Sequence, residues 1–154
     1  MSEKNPLLRR RAPLSQLLQP GVEPPEPSPF GVGATISVTI DGMETKVPLG
    51  TTILEAAKTL GVRIPTLCYH PDLEVAGLCR ICVVEVEGQK TLQAACAYPI
   101  TAPLKIHTYS RAVRVARRTI LELLLSEHCG ECYSCVRNGV CELQALAEEY
   151  GVDD

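Results

Sequence analysis

Eight cysteines fall in two groups of four, Cys68, Cys79, Cys82 and Cys96, then Cys129, Cys132, Cys135 and Cys141. Thiolates are soft donors. In a reducing compartment, where they do not pair into disulfides, groups of four hold zinc or iron-sulfur clusters. Among the three histidines, only His128 stands at a ligand-like distance from a run of cysteines. His70 neighbours a cysteine-bearing segment and His107 falls in a strand-like stretch, so neither is assigned a role. No arrangement of a nucleophile with its base is visible, and the chain is expected to have no catalytic site of its own.

Spacing narrows the metal. In the first group the gaps are ten, two and thirteen residues, and the close pair sits in Gly77-Leu-Cys-Arg-Ile-Cys82 just before a strand-like run. Zinc ribbons usually present two short pairs, whereas Cys68 and Cys96 each stand alone. Plant-type 2Fe-2S ferredoxins use one spaced cysteine, a close pair and a distant fourth, with glycine-containing loops bringing backbone amides near the sulfurs. The second group offers two ligand sets. His128, Cys132, Cys135 and Cys141, with gaps of three, two and five, give one imidazole and three thiolates; Cys129, Cys132, Cys135 and Cys141 give four thiolates with a Cys-x-x-Cys-x-x-Cys start. Either set suits a 4Fe-4S cluster, and one chain cannot use both in full.

These donors need a scaffold, and periodicity supplies one. Ile36, Val38 and Ile40 alternate along a strand, Asp41-Gly42 makes a turn, and a second strand runs through Val47. Thr52 followed by Glu55 is a capping box at the head of a helix carrying Ile53, Ala56, Ala57 and Leu60, stopped by Gly61. Further strands are expected at Cys82 to Val86, Leu92 to Ala95 and Ile106 to Tyr109, with Glu87-Gly88 as a turn. A hairpin, a helix and more strands describe a small mixed sheet with one helix across it, an α+β fold. Ser110 then caps a helix with Val113, Ala116, Ile120, Leu121 and Leu124 on one side and Arg111, Arg114, Arg117 and Arg118 largely on a solvated face. A last helix runs from about Glu142 to Tyr150, ended by Gly151.

With 154 residues, there is room for one ordinary domain or a small domain with a metal-stapled appendage. Fifteen basic against eighteen acidic residues leave no basic excess for nucleic acid, and no apolar run nears the roughly 20 residues of a membrane helix. Residues 1–33 hold Pro6, Pro13, Pro20, Pro24, Pro25, Pro27 and Pro29, the composition of an arm that does not order itself. Its leucines, Leu7, Leu8, Leu14, Leu17 and Leu18, favour an arm draped over a partner. Arg9, Arg10 and Arg11 are followed by Pro13, Gln16, Gln19 and Pro20 and not by an apolar stretch, so export is not expected and a cytoplasmic location is.

Three segments, Tyr69-His-Pro71, Ala76-Gly-Leu-Cys-Arg-Ile-Cys-Val-Val-Glu-Val86 and Ala95-Cys-Ala-Tyr-Pro99, resemble the N-terminal 2Fe-2S domain shared by the large iron-sulfur subunit of complex I, multimeric iron-only hydrogenases and NAD-linked formate dehydrogenases. The run from His128 to Gln144 is similar to the His-x3-Cys-x2-Cys-x5-Cys-Glu-Leu-Gln motif that follows it in those subunits, and Cys135 to Ala147 looks nearer the hydrogenase branch. The resemblance implies a β-grasp 2Fe-2S ferredoxin-like domain over 34–109 and a small helical 4Fe-4S-binding segment over 110–154. Cys68, Cys79, Cys82 and Cys96 would hold the 2Fe-2S cluster. His128 is favoured over Cys129 as fourth ligand beside Cys132, Cys135 and Cys141, although a cysteine at 129 departs from the family pattern.

The likeness runs from about Thr35 to Gly151 and stops where relatives continue into further cluster-binding and catalytic domains. It implies a subunit relaying single electrons between a flavin/NAD(P)H-oxidising subunit and a hydrogenase or other catalytic subunit, electron-bifurcating complexes included. A formate dehydrogenase or complex-I-like enzyme is the alternative setting. A free-standing ferredoxin and a zinc-stapled structural protein remain as alternatives of other classes.

Overall fold

The computed structural model describes residues 34–128 and 130–152. The proline-rich arm, its arginines and leucines, and Cys129 lie outside these residues. Strands β1 (Thr35–Ile40) and β2 (Met43–Pro48) form the expected hairpin. Asp41 and Gly42 both take positive φ, 49° and 85°, as a tight primed turn between twisted strands demands. Helix α1 (Ile53–Thr59) begins at the capping box: the Glu55 amide donates to the Thr52 hydroxyl and the Thr52 amide to the Glu55 carboxylate.

Strands β3 (Val83–Val86), β4 (Gln93–Ala94) and β5 (Leu104–His107) complete a five-stranded sheet of order β2-β1-β5-β3-β4, with β5 parallel to β1 and antiparallel to β3. This mixed sheet with α1 packed on its core is the expected α+β, β-grasp arrangement. Strand β5 starts and ends two residues earlier than the hydrophobic pattern suggested. The chain leaves the ladder at Thr108, whose amide and hydroxyl both donate to the Asp41 carboxylate, so Tyr109 points into solvent instead of extending the strand.

Helix α2 (Arg111–Ser126) starts where the Ser110 hydroxyl accepts from the Val113 amide, and α3 (Glu142–Tyr150) ends on left-handed Gly151. Two apolar cores result. Val38, Ile40, Ile53, Val84 and Ile106 join α1 to the sheet, while Leu121, Leu146 and Val152 close α2 on α3 around Ile81 from the first cysteine loop. Among the described residues, no helix is long and apolar enough to cross a membrane.

One residue of α2 departs from the solvated arginine face. Arg117 is 1% exposed. Its Nη2 donates to the Val83 carbonyl at 2.8 Å and its Nη1 to the Tyr150 hydroxyl at 2.9 Å, while Nε is buried without a partner. Helical spacing assigned the position correctly to a helix, but the arginine belongs to the face that α2 turns toward β3 and α3.

Candidate metal centres

The first donor set is built around a loop whose amides turn inward. Gly77 and Arg80 take positive φ, 62° and 61°, on either side of Cys79, and the chain bends back twice within Gly77 to Cys82. Those bends turn backbone amides toward the cysteines. The backbone amides of Cys79 and Leu78 favour the thiolate of Cys68, and those of Ile81 and Cys68 favour the thiolate of Cys79. Such donors stabilise thiolate and cluster sulfur alike.

Behind the loop, Cys82 and Cys96 are buried with sulfurs 3.4 Å apart, far beyond the roughly 2.05 Å of a disulfide bond. The position of Cys96 is set by α1: the Ile53 amide donates to the Tyr98 carbonyl and the Leu54 amide to the Ala95 carbonyl, while the Ala95 amide reaches the Cys82 carbonyl. The first turn of α1 thus holds the turn that carries Cys96, and that turn pairs with the segment of Cys82.

Protonation follows from this crowding. Burial pushes the Cys96 thiol from its ordinary 9.0 up to about 12, reinforced by its contact with Cys82 and by the charges of Cys82, Cys68 and Cys79. Burial also pushes the Cys79 thiol up. At Cys68 burial acts the same way, but hydrogen bonds from Cys79 and Leu78 outweigh it and hold the thiol below 9.0. Four like charges in one place disfavour the fully deprotonated set unless positive charge arrives with it, which is what a metal centre supplies. Of the first group, Cys82 and Cys96 are thus in direct contact, and Cys68 and Cys79 lie near enough to act electrostatically on Cys96.

The second set lies beyond α2. His128 follows that helix, Cys132 sits in a 3-10 turn (Cys132–Ser134), Cys135 ends the turn, and Cys141 is the N-cap residue of α3. His128, Cys132, Cys135 and Cys141 line one cavity of about 100 Å³, with Leu125 and Leu143 as apolar walls and Arg137 and Gln144 completing it. The Gly130 amide donates to His128 Nδ1 at 3.3 Å and the Arg137 amide to the Cys135 sulfur at 3.4 Å. Gln144 ties down the intervening loop, accepting from the Gly139 amide and donating to Asn138.

Three thiols and an imidazole around a space larger than one ion form a donor set fitted to an iron-sulfur cube. No three His, Cys, Asp or Glu side chains among the described residues converge on a single ion-sized point. His70 and His107 stay apart from both sets: His70 Nδ1 accepts from the Asp72 amide, and His107 at the end of β5 lies 3.4 Å from Glu87. Sequence reasoning missed Arg117, which links the two regions through Val83, next to Cys82, and Tyr150, at the far end of the helix that Cys141 begins. Only its register with Val113 and Leu121, both buried on α2, hinted at an inward position.

Residues 33–111, about half of the chain, match the model of the 2Fe-2S iron-sulfur cluster binding domain. The chain belongs to this 2Fe-2S domain family. Residues 117–154 match the NADH-ubiquinone oxidoreductase-G iron-sulfur binding region, a 4Fe-4S region. The two matches give this 2Fe-2S family member one cluster of each kind.

It is similar to the NADP-reducing hydrogenase subunit HndD of Solidesulfovibrio fructosivorans, 52% identical over 76% of this chain and 21% of the relative. It is also similar to the NADH-ubiquinone oxidoreductase 75 kDa subunit of Reclinomonas americana, 42% identical over 77% of this chain and 17% of that one. Among solved structures it resembles a chain of an NAD+-reducing [NiFe]-hydrogenase in the H2-reduced state, with a TM-score of 0.71 and 40% identity over 78% of this chain and 50% of the other. The 2Fe-2S family member thus spans about a fifth of the length of the curated relatives it matches.

Proposed function

We propose that the chain is the iron-sulfur wiring element of an NAD(P)-linked oxidoreductase, relaying single electrons between a flavin/NAD(P)H-oxidising subunit and another redox subunit, most economically in a hydrogenase complex. Cys68, Cys79, Cys82 and Cys96 hold the 2Fe-2S cluster, and His128, Cys132, Cys135 and Cys141 the 4Fe-4S cluster. When bound, the clusters supply one-electron chemistry. The residues contribute position, burial and hydrogen bonds to sulfur, which set where an electron rests and at what potential.

The observation that carries this reading is the presence of two separate soft-donor sets on one packed unit, one a cysteine group in which Cys82 and Cys96 are buried in contact and the other a His/Cys cavity. Exposed apolar side chains add support for a hetero-oligomer. Leu73, Val75 and Leu78 lie between the first two cysteines, and Tyr133, Val136 and Val140 in the second cysteine loop. Clusters of such side chains usually mark a covered surface. The hydrogenase relatives are the reason for preferring that setting over a complex-I-like enzyme.

Anaerobically prepared protein should contain about six irons and six sulfides per chain, the sum of one centre of each kind, with two EPR signals after reduction and a flavoprotein co-purifying. Zinc without labile sulfide would overturn the reading. His128→Cys should lower the 4Fe-4S potential, because an anionic thiolate replaces a neutral imidazole; an unchanged potential and spectrum would remove His128 from the ligand set.

A further inference from the structure

Among the described residues, Arg117 is the one buried charged side chain that the donor sets do not explain. It is 1% exposed, in the interior between α2, α3 and β3. A guanidinium carries a positive charge in proteins. Taking it from water costs several kcal/mol unless opposite charge is near. None of the ion pairs among the described residues includes it. Its two hydrogen bonds go to neutral oxygens, and Nε has no partner at all. A tertiary strut alone could be made from neutral groups, so the charge itself needs an account.

The surroundings point in one direction. The Val83 carbonyl that accepts from Nη2 belongs to the residue after Cys82. One helical turn along α2, Leu121 packs with Ile81, and Cys79 packs against the same core. The part of α2 that carries Arg117 is therefore backed directly onto the segment from Cys79 to Val83. We propose that Arg117 is a buried counter-charge to the four-thiolate 2Fe-2S centre, raising its reduction potential. This rests on the ligand reading above. Reduction adds one electron and no proton in this scheme, so the centre becomes more negative, and a fixed positive charge in a weakly screened interior stabilises the reduced form over the oxidised one. Arg117 acts through space on the cluster and is a positioning residue, not a catalytic one.

The test is an EPR-monitored redox titration of the full chain loaded with both clusters, comparing wild type, Arg117→Lys, Arg117→Gln and Arg117→Met. Both neutral variants should shift the one-electron equilibrium of the 2Fe-2S centre about tenfold toward the oxidised state, which is ~59 mV lower. The 4Fe-4S centre should move less. The lysine variant loses the forked hydrogen bonds; titrated at a pH low enough to keep a buried ammonium protonated, it keeps the charge, so it should unfold at lower temperature while holding the potential within about twofold of wild type in the same equilibrium, ~18 mV. Arg117→Met covers the case in which glutamine, with its own amide to satisfy, does not fold.

A 2Fe-2S signal of unchanged potential in either neutral variant overturns the proposal and leaves Arg117 as a strut. A fall in the lysine variant as large as in the neutral ones overturns it equally, because packing and not charge would then set the potential. Absence of any 2Fe-2S signal from the wild-type protein would instead overturn the ligand reading, a separate and recognisable failure.

Discussion

At the level of single residues, the first donor set depends on backbone conformations that few residues adopt. Gly77 has φ 62°, and an added Cβ would lie 3.5 Å from the Ala97 Cβ, an ordinary contact. Space is thus available and only the left-handed conformation is costly, at roughly 1–2 kcal/mol for a residue with a Cβ. Gly77→Ala should lower stability by about that amount, read from denaturant unfolding of the loaded protein, and should speed cluster loss because the Leu78 and Cys79 amides that follow it favour the Cys68 thiolate.

A second residue-scale expectation concerns Cys96 in protein stripped of iron. Its folded-state pKa is raised from 9.0 to about 12 by burial and by neighbouring thiols, so above pH 9 the unfolded chain releases a proton that the folded chain retains. Stability from this group is complete below pH 9 and is lost as pH climbs toward 12. The unfolding midpoint of the metal-free chain should fall over that window, and Cys96→Ala should flatten the fall. An equally steep fall in the variant would sink the assignment.

At the scale of elements, the features with local causes are legible in the order of residues alone. The capping box at Thr52 and Glu55, the Ser110 cap and the Gly151 stop are each written in two or three neighbouring residues and occur where the spacing placed them. Where a non-neighbour intervenes, the sequence is less informative. Thr108 leaves the sheet because Asp41, in the first hairpin, binds it. Arg117 is buried because Val83 and Tyr150, 34 and 33 residues away, accept its hydrogen bonds. The two cysteine groups are visible in the sequence because the spacing of their members is itself local, whereas the burial of Arg117 is not.

Helix α1 tests the link from cap to site. Thr52→Ala removes the hydroxyl that accepts from Glu55 and should cost about 1 kcal/mol. The effect should extend beyond the helix, because the Ile53 and Leu54 amides hold the Tyr98 and Ala95 carbonyls on either side of Cys96. The 2Fe-2S signal should therefore be lost sooner than in wild type under a chelator, with the 4Fe-4S signal little changed; equal loss of both would break the proposed link.

Across the whole molecule, stability is distributed unevenly between the two donor sets. Around the first, the sheet and α1 bury a continuous apolar core, and backbone bonds join Cys82, Ala95 and α1 whether or not metal is present. Around the second, every described residue from Gly130 to Val140 except Cys132 is exposed, and none of them belongs to either apolar core. Its order comes from short-range turn bonds between Gly130 and Val140, from the bonds of Gln144, and from whatever bridges His128, Cys132, Cys135 and Cys141. Metal binding is folding free energy for a segment of this kind. Removing iron should therefore act locally: amides from about residue 130 to 141 should exchange hydrogen with little protection, while those of β1, β3 and β5 stay protected. Helices α2 and α3 should lie between these extremes, since Leu121 and Leu146 still pack on Ile81. Uniform loss of protection would mean that both centres, and not the sheet core, hold the fold together. Unchanged protection of the 130–141 loop would mean that no metal bridges it.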